Sequence, residues 1–209
     1  MKALLSTAYW PNLHYFFYVL NAESVTIEQH ENYQKQSYRN RTGILSANGP
    51  LDLSIPVKKR SLKELTKDIE ISYSENWQIR HWRAITSAYK NSPYFDFFED
   101  EIRYFYTRQF ESLLNYNTEQ LNLVLKLLRH KKEIILTSHF EMPADQIYED
   151  VRFNIHPKIS FENDWLVKEK LKISYYQTFG NKFDFLPNLS VLDLLFNKGL
   201  ETKDYLALM

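Results

Sequence analysis

Between Tyr33 and Arg41 the chain reads YQKQSYRNR, which gathers Lys35, Arg39 and Arg41 with Gln34, Gln36, Asn40 and two tyrosines, and holds no aliphatic residue. Two guanidinium forks, an ammonium, amides and phenols are the groups that grip a phosphate, a carboxylate or a sugar. Run as a strand, the segment sends Arg39 and Arg41 to one face and Asn40 to the other, so both guanidiniums converge on one anion. The plainer alternative is a solvated strand whose surface ion pairs contribute little.

Two further places could do chemistry. His81 shares a stripe with Trp77, Ala84, Ile85 and Ala88 at spacings of three and four, which turns its ring toward the core or a cleft. An imidazole there can be tuned as a general base, although position alone favours a structural histidine. The segment YWPNLH, Tyr9 to His14, stands where a strand gives way to a helix. In α/β proteins that edge binds ligands, with free N–H groups pointing outward, so Asn12 and His14 are placed to meet an anion. For His14 the alternative is a partly buried ring with its hydrogen bonds satisfied.

Standard motifs are missing. There is no glycine-rich phosphate loop, no H-E-x-x-H, no pair of histidines at ligand spacing and no G-x-S-x-G. Cysteine is absent, which removes disulfides, thiolate catalysis and cysteine-held metals. No metal site is expected, and no cofactor is indicated.

The elements that must position these residues follow from periodicity. KALLSTAYW begins as a strand; Pro11 opens a helix with Leu13, Phe16, Phe17 and Leu20 on one face; SVTIEQH is β-branched. Residues 2–28 thus read as a β-α-β unit with a buried, right-handed parallel pair. TGILSANGPLDLSIPV reads as a hairpin turning at Asn48-Gly49. A further strand is expected from Asp68. From Glu75 the period becomes helical for three or four helices, with Pro93 starting one. KKEIILTSHF reads as a strand rejoining the sheet, MPADQIYEDVRFNIHPKISF as loop, and Ser190, Asp193 and Gly199 bracket a short capped helix.

The fold expected is α/β of mixed α+β kind: a mixed β-sheet from the N-terminal third and one later strand, packed against a predominantly helical middle and C-terminal portion. One domain over residues 1–209 is expected, sheet-rich over 1–73, helical over 74–130, and a returning strand, loops and short helices over 131–209. Twenty-six basic residues balance twenty-six acidic ones, so no broad phosphate track argues for nucleic acid. No apolar segment approaches the twenty residues of a membrane span, and a cytoplasmic protein is expected.

These stretches resemble the WbqC-like protein family. The matching pieces are AYWPNLHYFFYV, YQKQSYRNRTGI, LSIPV, WQIRHWRAITSAYKNSPYF, HPKISF and YYQTFGNKFDFLPNLSVLDLLFNKG. They run in the family's order across nearly the whole chain, and YQKQSYRNR is the most specific. The resemblance implies a role in building bacterial O-antigen or other surface polysaccharide, with aminoacyl or acyl transfer to a sugar as the reaction. It covers Pro11, Tyr15, Gln34, Lys35, Arg39, Asn40, Arg41, His81, Tyr89, Pro93, Tyr94 and Phe95. His14 departs from it, standing where the family usually shows glycine, and is therefore not expected to be a general catalytic residue of the family.

With the resemblance, the polar nonapeptide is read as a site rather than a solvated edge. A transferase acting on an amino sugar is expected, with His81 and Lys35 catalytic and Gln34, Arg39, Asn40, Arg41, Tyr89, Tyr94, Pro11 and Asn12 binding substrate. His81 would take a proton from the acceptor amine, Arg39 and Arg41 would hold a phosphate or carboxylate, and Asn40 and Tyr94 would orient hydroxyls. This requires His81 and Arg41 to share one pocket. The partner expected is a small molecule, either a nucleotide sugar or an amino-acid donor, and an oligomer is compatible with it. The competing reading is a non-catalytic binding or scaffold protein of a polysaccharide assembly complex, its aromatics and arginines forming an open partner surface.

Overall fold

The structure, a computed structural model, describes residues 1–58, 63–142 and 149–208. Strand β1 (Lys2–Ser6) is buried at four of its five positions, as expected for a strand covered on both faces. Helix α1 (Leu13–Asn21) returns the chain to β2 (Ser24–Glu28), which pairs in parallel with β1 from Lys2↔Ser24 to Ser6↔Glu28. The stripe Leu13, Phe16, Phe17 and Leu20 is buried as expected, but so are His14, Tyr15, Tyr18 and Val19. A helix apolar and aromatic all round is a core helix, and each fully buried phenylalanine contributes about 1.5–3 kcal/mol.

The polar segment is not a strand. Residues 35–40 form turns, and only Arg41 enters β3 (Arg41–Ser46). The turn is closed locally by Ser37 Oγ donating to the Gln34 carbonyl at 2.7 Å and by Gln36 at φ 55°. It is tied to the β1–α1 loop by the Tyr9 amide, which donates to the Tyr38 carbonyl at 2.9 Å. β3 pairs antiparallel with β4 (Gly49–Ser54) from Arg41↔Ser54 to Ser46↔Gly49. The two-residue turn is therefore Ala47–Asn48, one residue earlier than expected, with Gly49 at φ 104° starting the return.

The expected strand from Asp68 shrinks to β6 (Glu70–Ile71), which pairs with β5 (Val57–Lys58). Ile71 instead gives its N–H to the Glu111 carbonyl, joining this piece to the helices. Those are α2 (Trp77–Tyr89), α3 (Phe95–Thr107) and α4 (Leu113–Leu127), the last capped by Ser112, whose hydroxyl accepts from the Asn115 amide. Strand β7 (Ile134–Leu136) then pairs in parallel with β2, as the β-branched run implied. β8 (Glu149–Asp150), within the stretch read as loop, pairs in parallel with β1 at Ala3↔Glu149 and Leu4↔Asp150. Residues 143–148 of that stretch lie outside the described residues.

The result is a parallel sheet in the order β7-β2-β1-β8, with the β3–β4 and β5–β6 pairs separate from it. The fold is thus mixed α/β with a predominantly helical middle, as expected, although the strands of the N-terminal third are divided among three sheets. After a single-turn α5 (Lys168–Leu171) come α6 (Val191–Lys198) and α7 (Thr202–Leu206), and α7 packs on α1. Among the described residues no helix is long and apolar enough to cross a membrane.

Ser190 caps α6 as expected, its hydroxyl accepting from the Leu192 amide. Asp193 does not complete a capping box. Its carboxylate is buried and accepts from Tyr175 Oη at 2.5 Å and Gln177 Nε2 at 3.0 Å. Gly199 ends the helix at φ 57°, where an added Cβ would stand 2.7 Å from the Tyr94 ring. Gly199→Ala should therefore destabilise the fold by more than about 1 kcal/mol, through both backbone strain and the clash. Thermal unfolding checks this, and a midpoint equal to wild type would contradict it.

Candidate functional site

Parallel sheets offer their ligand edge at the C-terminal ends of the strands, at the point where the connections diverge to opposite sides. Here that point lies between β1, which leads to β2 on one side, and β8 on the other. The strand ends bring Ser6, Glu28, Thr137, Asp150 and Arg152 to this edge.

The edge is dominated by buried ion pairs. Glu28, 0% exposed, accepts from the His30 amide at 2.7 Å, Glu141 amide at 2.8 Å, Thr137 Oγ1 at 2.9 Å and Arg152 Nη1 at 3.2 Å. Arg152 also binds Asp150 through Nε at 2.9 Å and Nη2 at 2.7 Å. Burial opposes its charge, but Asp150, with Glu28 and Glu31, holds its pKa above the ordinary arginine value. Arg39 grips Glu31 with both arms of the fork, Nε–Oε1 2.9 Å and Nη2–Oε2 2.6 Å, and Nη2 donates to Ser6 Oγ at 2.8 Å. Both residues are 3% exposed. The Arg39 carbonyl in turn accepts from Asn117 Nδ2 at 2.8 Å, which ties the turn to α4.

The crevice between β1 and β8, walled by Ser6, Thr7, Tyr15, Arg39 and Arg152, has about 10 Å³ of space. That is at most room for one water. On the other side of Tyr38 opens a cavity of about 350 Å³, lined by Gln36, Tyr38, Arg41, Asp52, Lys158 and Asn188 among others. Arg41 reaches Asp52 at 3.4 Å and Ser54 Oγ at 3.3 Å with its side chain 30% exposed. Contacts that long are weak.

Arg39 and Arg41 therefore diverge rather than converge on one anion. The turn points the first inward to Glu31 and leaves the second at the start of β3, facing the outer cavity. Gln34 is half-buried, with its carbonyl in the turn, and Lys35 is exposed with no carboxylate paired to it among the described residues. Asn40 clips the turn to the end of β4: its side-chain Nδ2 donates to the Ile55 carbonyl at 2.8 Å and its backbone carbonyl accepts from the Ile55 amide.

The other expected site residues lie elsewhere. His81, 6% exposed, meets Tyr9 Oη through Nδ1 at 3.0 Å, in an aromatic cluster with Trp77, Tyr106 and Tyr116. Neither the crevice nor the cavity beside Tyr38 has His81 in its wall. Burial, reinforced by the Arg80 charge and partly offset by the Ser54 backbone, pushes its pKa down to about 4. Tyr89 is 0% exposed beside Asp193, and Tyr94 covers Gly199. The Pro11 carbonyl accepts from the Val191 amide, and Asn12 caps α1 by accepting from the Tyr15 amide at 3.0 Å.

The start of α1 offers no free backbone donors, although the buried Nδ2 of its cap, Asn12, has no hydrogen-bond partner among the described residues. The Leu13 amide goes to the Leu189 carbonyl, the His14 amide to Asn188 Oδ1 and the Tyr15 amide to Asn12. Because the segment 188–190 crosses this terminus, the expected anion site there is filled by protein. His14 instead turns its ring to Asp164, Nε2–Oδ2 2.9 Å, at a second cavity. Among the described residues no group of three or more His, Asp or Glu is placed to hold a metal ion.

Sequence reasoning missed Glu28, Glu31, Arg152 and Lys158. The first two had a signal, since EQHE spans the end of a strand and precedes a run of cations. The other two lie in the stretch read as loop.

The pKa of His81 makes stability pH-dependent. Its folded value lies below the ordinary 6.5, so the unfolded chain takes up the proton first. The stability held by the neutral ring is complete above 6.5 and is lost as pH falls toward about 4, a loss of about 3 kcal/mol. Asp193, raised by burial to about 6, has the opposite slope, so the comparison must be with His81→Asn. The wild type's advantage over that variant in urea unfolding should grow between pH 4 and 6.5; a constant difference would contradict it.

Comparison with known proteins gives a consistent assignment. An uncharacterized protein of Mycobacterium tuberculosis (strain ATCC 25618 / H37Rv), Rv1507c, is 24% identical over 229 residues, spanning 98% of this chain and 96% of its own length. No solved structure matches significantly. The profile of the WbqC-like proteins matches residues 7–163, which include α1, β2–β8 and the polar turn. The chain belongs to the WbqC-like protein family.

Proposed function

We propose that this protein is a transferase acting on an amino sugar in bacterial surface-polysaccharide synthesis, in the cytoplasm, and that its donor binds through an anionic group beside the polar turn. The observation that carries the reading is the cavity of about 350 Å³ beside the polar turn, which Arg41 and Lys158 line with a single carboxylate, Asp52. Arg39 and Arg152 are neutralised by buried carboxylates and serve the architecture. Arg41 has only long contacts, so a phosphate or carboxylate can take its fork at little cost. Gln36, Tyr38 and Asn188 supply further hydrogen-bonding groups around it. A nucleotide sugar or an aminoacyl or acyl donor meets these requirements.

Lys35, exposed in the same turn, is the nearer of the two expected catalytic groups in sequence to Arg41. His81 stands in the aromatic core, and this favours a second reading in which the cavity binds its ligand without catalysis.

A thermal-shift panel of nucleotides, nucleotide sugars, acyl carriers and glycine should find one class that raises the wild-type midpoint. At about a hundred times Kd the gain is about 2.7 kcal/mol, a shift of about 5–10 °C for a chain of this size. Arg41→Ala should lose it. Equal shifts in wild type and variant, or none with any compound, would contradict the donor site; a shift without transfer to any amine acceptor would select the binding role.

A further inference from the structure

The second cavity, about 340 Å³, is walled by α1, the start of β8 and residues 154–166. Its chemistry is opposite to that of the cavity beside the turn. Glu149 and Asp164 line it, and among the described residues no lysine or arginine does. A phosphate or carboxylate would meet repulsion here, whereas a cation would be held.

Its polar groups are arranged in order. Asp164 Oδ2 accepts from Tyr18 Oη at 2.7 Å and His14 Nε2 at 2.9 Å, and Oδ1 accepts from the Leu166 amide at 3.0 Å. Burial alone would raise the Asp164 pKa, but these hydrogen bonds hold it below the usual carboxylate range. An ionised carboxylate only accepts, so Nε2 of His14 carries a proton, and in the neutral ring the lone pair is on Nδ1. His14 is 2% exposed, and Nδ1 has no hydrogen-bond partner among the described residues. His14 lines the cavity, and a nitrogen with no protein partner on an otherwise buried side chain in such a wall is available to a ligand. At the rim, Trp165 is 76% exposed, and a bare indole face fits the C–H face of a sugar ring or a cation.

We propose that this cavity binds a sugar bearing a free amine, with its ring on Trp165, its ammonium between Glu149 and Nδ1 of His14, and its hydroxyls on Asn154 and Asn163. His14 is then the base that frees the amine. The N–H bond of the ammonium breaks, its electron pair stays on nitrogen, the proton goes to Nδ1, and Asp164 balances the resulting imidazolium. The inference names the acceptor and its site for the transfer proposed above and rests on that reading for its role, though not for the binding itself.

The test is calorimetric titration of D-glucosamine, with N-acetyl-D-glucosamine and D-glucose as controls and no donor present. Saturable binding of glucosamine to the wild type is expected, at least tenfold weaker for either control sugar and for Trp165→Ala and Asp164→Asn. Trp165 is exposed, so its variant retains the fold if loss of Asp164 proves disruptive. Nitrogen NMR of His14 should show Nδ1 moving toward the protonated range with glucosamine and not with glucose. Absence of saturable binding, equal affinity in Trp165→Ala, or an unmoved Nδ1 signal would overturn the proposal. Because no donor is added, failure here is separable from failure of the anion panel at Arg41.

Discussion

A guanidinium buried against a carboxylate, Arg39 on Glu31, is the contact on which the candidate site depends. Neither group could be left in the interior alone, since an unpaired buried charge costs several kcal/mol. Glu31 lies three residues beyond β2, Ser6 closes β1, and both bind the same fork. Once Arg39 is committed inward, the residues around it cannot run as a strand. Tyr38 becomes the wall between a closed crevice and an open cavity, and Arg41 is left outside with weak partners. Asn117 carries the constraint into the helical layer by bonding both the Arg39 carbonyl and Thr7 Oγ1.

The cavity beside the turn and the cavity along α1 differ in charge. The one beside the turn presents Arg41 and Lys158 against Asp52, and the one along α1 presents Glu149 and Asp164 with an oriented histidine. Such a separation suits two substrates of opposite charge more than one large ligand. Helix α1 reaches one of the two cavities: its first turn carries His14 to the acidic cavity, while Asn12 and the 188–190 crossing take up its backbone amides.

Much of the framework was legible because it rests on local period. The β-α-β opening, the hairpin, the three middle helices and β7 all follow from alternation or from spacings of three and four, and the stripe through Trp77 and Ile85 correctly put His81 on the inner face. What was not legible came from pairing at a distance. β8 is two residues, too short for any period, and is a strand only because β1 lies beside it. The polar turn alternates like a strand, and nothing local says that Arg39 will bury itself on a carboxylate eight positions earlier. Asp193 stood at capping-box spacing from Ser190 but was drawn off by Tyr175 and Gln177, which come from a loop without a periodic signal.

The most direct measurement is a double-mutant cycle across Arg39 and Glu31 in urea unfolding, with Arg41→Ala as reference. Arg39→Met and Glu31→Leu alone should each lose about 3–5 kcal/mol, and together they should recover most of that loss, because no unpaired charge then remains. Arg41→Ala should cost less than about 1 kcal/mol. If Arg39→Met proved as mild as Arg41→Ala, or if the two losses simply added, the buried pair would not be what sets the turn, and the separation of structural from ligand-facing arginines would fail.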